Sequence, residues 1–287
     1  MNAAEFHQSR KFAATPAGRI AYIERGAGPV ALFLHGYLLN GFAWRGTIED
    51  LSPTRRCIAL DVMGLGYSEI PAGQDLTFRA QAGMVADFLD QLKIDQVDLI
   101  GNDSGGGISQ MFAAGNPSRV RTLTLTNCEV HDLWPNPTLQ QLFEMLSSEA
   151  AIPALSAALN DPATARQAFG AAYEDPSRIP DEAFRTYLEP LLSTDDRTAN
   201  ARRFARADPN RAQLIAIAPK LKQLGVPAQI IWGDGDAFFE LASIDWMRQN
   251  IQGVRKVTVV PGARLFFPEE HPKLLSVLLN EFWRSVA

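Results

Sequence analysis

The stretch GNDSG, residues 101–105, has the spacing of a sharp turn that presents a nucleophile between a strand and a helix. Small residues must flank the central one, because neighbouring backbone comes close at such a turn. Asp103 fits the centre, whereas a central Ser104 would put Asn102 where a smaller residue is needed. A carboxylate here can attack a carbon atom or move a proton. The alternative is a glycine-rich helix start that Asp103 or Ser104 caps.

Short apolar runs that suit buried parallel strands lie on both sides of this turn. A hairpin-like strand, residues 18–26, comes first. The buried runs are PVALFLHG (29–36), RRCIALDVMG (55–64), VDLIGND (97–103), RTLTLTNCE (121–129), AQIIWGDGD (228–236) and KVTVVPG (256–262). Sequences with helical spacing, among them residues 77–92, 104–115 and 272–286, alternate with them. This alternation predicts an α/β fold with a mostly parallel central sheet flanked by helices.

One segment interrupts the alternation. Residues 131–212 show helical patterns and no convincing strand. We expect a helical insertion at the carboxyl edge of the sheet, where open α/β folds bind ligands. The predicted core then consists of residues 1–130 and 213–287.

Three further segments each follow or end a predicted strand, as GNDSG does. They are LHGYLLNGFAWR (34–45), ALDVMGLGYSE (59–69) and WGDGD (232–236). Together with GNDSG they resemble the α/β-hydrolase family over nearly the whole chain, and the aspartate resembles its haloalkane dehalogenase and epoxide hydrolase branch. The resemblance implies that Asp103 forms an alkyl ester with a small or medium apolar substrate, at a carbon–halogen or epoxide carbon. Water activated by a histidine then hydrolyses the ester, no cofactor takes part, and the insertion is a cap.

The resemblance also implies roles for residues around Asp103. The backbone N–H groups of Ser104 and Tyr37 would form the oxyanion hole. His35 would be a structural member of the same turn as Tyr37. The acid that supports the base would be Glu129 or Asp236, which end two different strands, and the sequence does not choose between them.

The position of the catalytic histidine is the main departure from the family pattern. In VVPGARLFFPEEHP (259–272) this position is Leu265, which cannot transfer a proton. The chain has four histidines, His7, His35, His131 and His271. Only His131 is expected near the site, so it is the candidate base; otherwise a carboxylate activates water, or nothing does.

Substrate-binding groups also depart from the family. Ser104 and Tyr37 stand where haloalkane dehalogenases have a halide-binding tryptophan and asparagine. Trp44 and Trp134 are candidates for the pocket lining instead. Tyr173 and Tyr187 lie in the insertion, where epoxide hydrolases have tyrosines that protonate the leaving oxygen.

Composition limits the class of protein. Lys plus Arg is 27 and Asp plus Glu is 32, so the net charge of −5 gives no sign of nucleic-acid binding. No signal peptide, membrane span, metal-binding motif or nucleotide motif is recognisable, and Cys57 and Cys128 do not form a disulfide framework. We expect a cytoplasmic enzyme with a small-molecule substrate, and leave homo-oligomer formation open.

Two alternatives to a hydrolase remain. One is a cofactor-free lyase, isomerase or cyclase, in which burial raises the pKa of Asp103 and makes it a general acid or base. The other is a ligand-binding protein without catalytic activity. The fold alone cannot decide, because one scaffold hosts many functions.

Overall fold

A computed structural model describes residues 1–206 and 208–286. Eight strands form one sheet in the order β1-β2-β4-β3-β5-β6-β7-β8. Strand β2 is antiparallel to β1 and β4, and every other neighbouring pair is parallel. The strands are β1 (Lys11–Thr15), β2 (Gly18–Arg25), β3 (Val30–Leu34), β4 (Arg56–Leu60), β5 (Val97–Asn102), β6 (Val120–Thr126), β7 (Ala228–Gly233) and β8 (Val254–Val260).

The central strands carry the apolar runs expected of strands covered on both faces. Every residue of β5 and of β7 is buried. The seven strands expected from the sequence are confirmed, each within a few residues of its expected limits. Strand β1 was not expected. It lies at the edge of the sheet and buries only Ala13, so it has no apolar run to mark it.

Thirteen α-helices complete the described fold. Those of the sheet layers before the insertion are α1 (Ala3–Ser9), α2 (Arg45–Leu51), α3 (Phe78–Gln91) and α4 (Ser104–Gly115). Between β6 and β7 lie α5 (Pro137–Ser147), α6 (Ala151–Asn160), α7 (Pro162–Phe169), α8 (Asp181–Leu192), α9 (Asp195–Phe204) and α10 (Asp208–Leu221). The last are α11 (Ala242–Asn250), α12 (Phe267–Glu270) and α13 (Pro272–Ser285).

The final helix illustrates how the sequence directs the packing. In α13 the residues Leu275, Leu278, Leu279 and Phe282 are buried, at the spacing of one helix face. Helix α13 contacts α2, and its apolar face is turned toward the layers that cover the sheet. Such layers of helix on sheet bury the apolar face that each element presents.

Helices α5 to α9 lie within the segment expected to form a cap. Two hydrogen bonds join this segment to loops of the sheet: the Tyr37 hydroxyl donates to the carbonyl of Ala201 (2.9 Å), and Asn40 Nδ2 donates to the carbonyl of Thr186 (2.8 Å). Helix α10 runs through residue 212, where we expected the insertion to end, and packs on α3 and α4. Helices α5 to α9 therefore cover the end of the sheet, whereas α10 packs with α3 and α4 beside the sheet.

Within the described residues, no single helix has the length and apolar character needed to span a membrane. The consecutive helices α5 and α6 pass that test only when taken together, and they are bent by 91° relative to each other.

Candidate active site

The turn between β5 and α4 holds Asp103 in a strained backbone conformation. Its φ is +52° and its ψ is −131°, a region that residues other than glycine rarely adopt. The Asp103 N–H donates to the carbonyl of Asn127 (2.8 Å), and the Gly106 N–H donates to the carbonyl of Asp103 (2.7 Å). A Cβ atom at Gly105 would lie 2.1 Å from the carbonyl oxygen of Leu34. The small residues of GNDSG are thus required because neighbouring backbone comes close to them, as the sequence predicts.

The side chain of Asp103 occupies the expected oxyanion hole. The backbone N–H of Tyr37 donates to Asp103 Oδ2 (2.8 Å), and the backbone N–H of Ser104 also bonds to this carboxyl group. Gly36 makes room for it, because a Cβ atom there would lie 2.3 Å from Oδ2. The two expected N–H donors therefore both act on the carboxyl group of the turn residue.

Glu129 lies beside this turn, three residues after the end of β6. It is 1% exposed, and the Ser104 hydroxyl donates to its Oε1 (2.9 Å). Its other oxygen, Oε2, is buried and has no hydrogen-bond partner among the described residues. Burial raises the pKa of Glu129 to about 7. A carboxyl group of that pKa is suited to exchange protons near neutral pH.

Asp103 and Glu129 affect each other's ionisation. Burial raises the pKa of Asp103 well above the usual value, and the charge of Glu129 raises it further. The N–H groups of Tyr37 and Ser104 act in the opposite direction, because they stabilise the ionised carboxylate. The pair therefore ionises at higher pH than two separate carboxyl groups would.

The second candidate acid, Asp236, is fixed by other groups. Asn127 Nδ2 donates to its Oδ2 (2.7 Å) and the Phe238 N–H donates to its Oδ1 (2.8 Å). Burial raises the pKa of Asp236 to about 6. Its charge also raises the pKa of Asp103, so all three carboxyl groups lie in one region.

Neither histidine of the predicted set hydrogen-bonds to these carboxyl groups. His35 is buried; its Nε2 accepts from the N–H of Val62 (3.0 Å) and its Nδ1 lies 2.8 Å from the carbonyl of Gly36. Burial lowers the pKa of His35, which favours its neutral form. His131 stacks on Trp246 with ring centroids 4.6 Å apart, and its Nδ1 lies 2.7 Å from Asp132 Oδ1. His131 makes these contacts and is not among the residues that line the cavity beside Asp103.

Leu265 borders the same cavity as Asp103 and is 5% exposed. The loop that carries it is held through its backbone, since Asn102 Nδ2 donates to the carbonyl of Leu265 (2.9 Å). Asn102 immediately precedes Asp103, so this bond joins the two loops of the site. The side chain at position 265 is thus placed beside the turn, but it is a leucine.

A cavity of ≈ 110 Å³ lies between Asp103 and the insertion. Its lining is apolar apart from Asp103 and Tyr37, whose hydroxyl is bonded to Ala201. The lining residues are Tyr37, Leu38, Asp103, Leu139, Leu142, Phe143, Met145, Leu146, Ala154, Leu155, Ala168, Phe169, Ala172, Phe238, Leu265 and Phe266. The sequence indicates that α5 has an apolar face, but it does not indicate which cavity that face borders. A larger open depression, ≈ 440 Å³, runs from Gly18 to Asn200 and includes none of the candidate residues.

The expectation that Trp44 and Trp134 line this cavity is wrong. Trp44 is 1% exposed and packs on Phe33, with ring centroids 5.2 Å apart. Trp134 stacks on Phe78, at 6.2 Å between centroids, and borders a separate small cavity beside Ser104 and Glu129. In both cases packing in the core takes the ring away from the Asp103 cavity.

The two tyrosines of the insertion are also directed elsewhere. The hydroxyls of Tyr173 and Tyr187 each donate to the carboxylate of Glu269 at 2.6 Å, and Arg45 forms an ion pair with the same carboxylate. Burial, followed by the charge of Glu269, raises the pKa of both phenols. These groups fasten the insertion to the sheet layers. Sequence reasoning missed Arg45 and Glu269, because no local pattern links residues 224 positions apart.

No set of three or more His, Cys, Asp or Glu residues in the described ranges is arranged to hold a metal ion. The site offers a carboxyl group at an apolar cavity, with the backbone N–H groups of Tyr37 and Ser104 bonded to it and a second carboxyl group, Glu129, next to it.

Comparison with known proteins shows the family and the fold of this chain. The profile of the alpha/beta hydrolase fold matches residues 29–271. Haloalkane dehalogenase 2 of Mycobacterium bovis is 28% identical over 277 residues, which cover 92% of this chain and 91% of that protein. Epoxide hydrolase 3 of Xenopus tropicalis is 22% identical and covers 93% of this chain and 75% of that protein. The crystal structure of a haloalkane dehalogenase from Bradyrhizobium elkani has a TM-score of 0.80 and 20% identity, with 97% of this chain and 98% of that chain covered.

Proposed function

The chain belongs to the alpha/beta hydrolase fold family, and from this premise we propose that it is a hydrolase that cleaves a carbon–halogen bond through an ester on Asp103. The observation that carries the proposal is the hydrogen bond from the Tyr37 N–H to Asp103 Oδ2. A carboxylate held by one oxygen next to an apolar cavity is prepared to attack with the other. The similarity to haloalkane dehalogenase 2 over 92% of the chain supports the same reaction.

The proposed reaction has two steps. In the first, Asp103 Oδ1 forms a bond to the substrate carbon, the carbon–halogen bond breaks, and the halide leaves with the electron pair. In the second, water adds to Cγ of the ester, and the negative charge that develops on Oδ2 is stabilised by the N–H groups of Tyr37 and Ser104. Loss of the alcohol and of one proton restores the carboxylate. The sum is R–X + H₂O → R–OH + H⁺ + X⁻.

A halide fits the site better than an epoxide oxygen. Halide ions leave without a proton, whereas the alkoxide of an opened epoxide needs an acid. Tyr173 and Tyr187 donate to Glu269, and the Tyr37 hydroxyl donates to Ala201, so no tyrosine hydroxyl is directed into the described lining of the cavity. The apolar lining favours an alkyl chain. At ≈ 110 Å³ the cavity is smaller than one of about 150 Å³ that holds benzene, so the substrate is a short haloalkane.

A second candidate function follows from the ionisation of Asp103. Because burial and Glu129 raise its pKa, the carboxyl group is also suited to donate a proton in a lyase or isomerase reaction. Leu265, in the place of a base, is compatible with such a reaction. This function predicts no covalent intermediate, which separates it from the first. A protein that only binds its ligand would give neither an intermediate nor a product.

Intact-protein mass spectrometry with 1-bromopropane and 1-chlorobutane tests the proposal, with free halide and alcohol measured in parallel. We expect a mass increase equal to the alkyl group, located on Asp103 by peptide analysis, and its absence in Asp103→Asn. Hydrolysis of the labelled protein in H₂¹⁸O should place ¹⁸O in Asp103, since water attacks Cγ. Absence of adduct, halide and alcohol over a panel of short haloalkanes would refute the proposed function.

A further inference from the structure

A second, very small cavity lies near the apolar one and shares Phe143 of its lining. Its volume is ≈ 10 Å³, and it is bordered by Phe78, Ser104, Glu129, Trp134, Phe143, Phe204 and Asn210. Phe143 borders both cavities, and Ser104 directly follows Asp103. The small cavity is therefore next to the carboxyl group that would carry the ester.

Two residues of this lining have buried polar atoms without a partner. They are Glu129 Oε2, an acceptor, and Trp134 Nε1, a donor, and both residues are at most 2% exposed. Buried polar atoms in proteins are nearly always hydrogen-bonded, to protein or to ordered water. A cavity of this size has room for about one water molecule, provided that polar partners surround it. Glu129 and Trp134, which carry an unpartnered acceptor and an unpartnered donor, border the same space and are the polar partners that such a water needs.

We propose that one water molecule binds between Trp134 Nε1 and Glu129 Oε2 and is the water that hydrolyses the Asp103 ester, with Glu129 as its base. This inference rests on the proposed function, and it supplies the base that Leu265 cannot. It also gives Trp134 a role other than lining the substrate cavity.

The fixed position of Glu129 supports this role. The Ser104 hydroxyl holds Oε1, which leaves Oε2 for the water. As the water oxygen bonds to Cγ of Asp103, its proton passes to Glu129. The Cγ–O bond to the alkyl group then breaks, the departing alkoxide takes that proton, and the Asp103 carboxyl group releases its own proton to solvent. Atoms and charge balance, and Glu129 is ionised again.

The charges at the site change in the direction that the step requires. In the free enzyme the charges of Glu129 and Asp236 raise the pKa of Asp103, and that of Glu129 also raises the pKa of the Cys128 thiol. Esterification removes the charge of Asp103. The repulsion between the two carboxylates is mutual, so the neutral ester no longer opposes a negative charge on Glu129. Glu129 then loses its proton more readily. A larger fraction of Glu129 is thus ionised, and able to accept a proton, after the first step than before it.

The test compares Glu129→Gln and Trp134→Phe with the wild type in rapid-quench reactions with 1-bromopropane, followed by intact mass and propanol release. In Glu129→Gln we expect the Asp103 adduct to accumulate and turnover to fall about 100-fold. Adduct formation should not slow, and its pH profile should move to lower pH, because a charge next to Asp103 is lost. A merely structural role would slow adduct formation as well and would not make the adduct accumulate.

Trp134→Phe removes only the donor. We expect the adduct to accumulate and turnover to fall about tenfold, as for the loss of one ordinary hydrogen bond. Trp44→Phe is the matched control, because Trp44 Nε1 is also buried without a partner but borders a different cavity. It should hydrolyse the adduct at the wild-type rate. Should Glu129→Gln fail to fold, the comparison of the two tryptophan variants still decides.

Two results would overturn the inference in different ways. If both Glu129→Gln and Trp134→Phe hydrolyse the adduct at the wild-type rate, the inference is wrong while the proposed function stands. If the wild type and both variants form neither adduct nor propanol, the proposed function itself is wrong, and the inference with it.

Discussion

The backbone N–H of Tyr37 donates to Oδ2 of Asp103 at 2.8 Å, so the side chain of the turn residue itself occupies the position expected for the oxyanion hole. In a hydrolase with a serine nucleophile this space is kept for the oxygen of the substrate. Here the same donors hold the Asp103 carboxyl group; in our proposal this group is the nucleophile, and the donors later stabilise the charge that forms on it.

Gly36→Ala should disrupt this arrangement. A Cβ atom at position 36 would lie 2.3 Å from Oδ2 and 2.5 Å from Cβ of Asp103, so the carboxylate must leave the hole. We expect adduct formation to slow by about 100-fold, as for other misplacements of about 1 Å. The measurement is the rate of alkylation by intact mass. Gly83→Ala is the control, because Gly83 is exposed in α3 with open space around it; equal rates in the two variants would contradict the prediction.

Leu265→His should accelerate ester hydrolysis. The side chain at 265 borders the Asp103 cavity, and Asp236 lies in the same region to support an imidazole. If hydrolysis limits turnover, we expect kcat to rise by about 100-fold, the usual contribution of a placed general base. Adding Asp236→Asn should remove most of the gain. An unchanged kcat with a wild-type amount of adduct would show that the new ring does not reach the ester.

Tyr173→Phe and Tyr187→Phe should affect stability and leave the chemistry almost unchanged. Each hydroxyl donates to the buried Glu269 carboxylate, and removing one such bond costs about 2 kcal/mol of folding free energy. Chemical denaturation and initial rates with 1-bromopropane measure the two effects. A loss of activity beyond about threefold at full folding would reinstate these tyrosines as acids of the reaction.

Glu129→Gln should stabilise the protein at high pH. Burial raises the pKa of Glu129 from 4.5 to about 7, so the folded state holds this proton more tightly than the unfolded state. The resulting cost is absent below pH 4.5, grows as the pH rises, and is complete above pH 7, where it is on the order of 3 kcal/mol. Denaturation at pH 4, 6 and 8 should show a gain that increases with pH. Glu240→Gln, at an exposed position, should show no such trend, and a trend of equal size there would argue against the assignment to Glu129.

The sequence predicted the parts of the site that depend on local pattern. The glycines of GNDSG marked the turn because backbone packs against them, and the apolar runs marked strands that bring Asp103, Glu129 and Asp236 to one edge. Tyr37 and Ser104 followed from the family resemblance, and both N–H groups bond to Asp103.

The remaining features depend on contacts between distant segments. His131 lies close to Glu129 in the chain, but stacking on Trp246 of α11 sets its direction. Trp134 packs on Phe78 of α3, and the insertion tyrosines find Glu269 of α12. These contacting residues have no fixed separation along the chain. The directions of their side chains therefore could not be predicted from the sequence pattern.

The bond from Asn102 to the carbonyl of Leu265 fixes a loop by its main chain alone. The residue type at position 265 can therefore change without moving the loop that presents it. One substitution could add or remove a histidine there, and the loop that carries it would keep its shape in either case. Among proteins with this arrangement, the identity of the residue at that position is then a poor marker of descent, since relatives with different chemistry can share the whole of the surrounding structure.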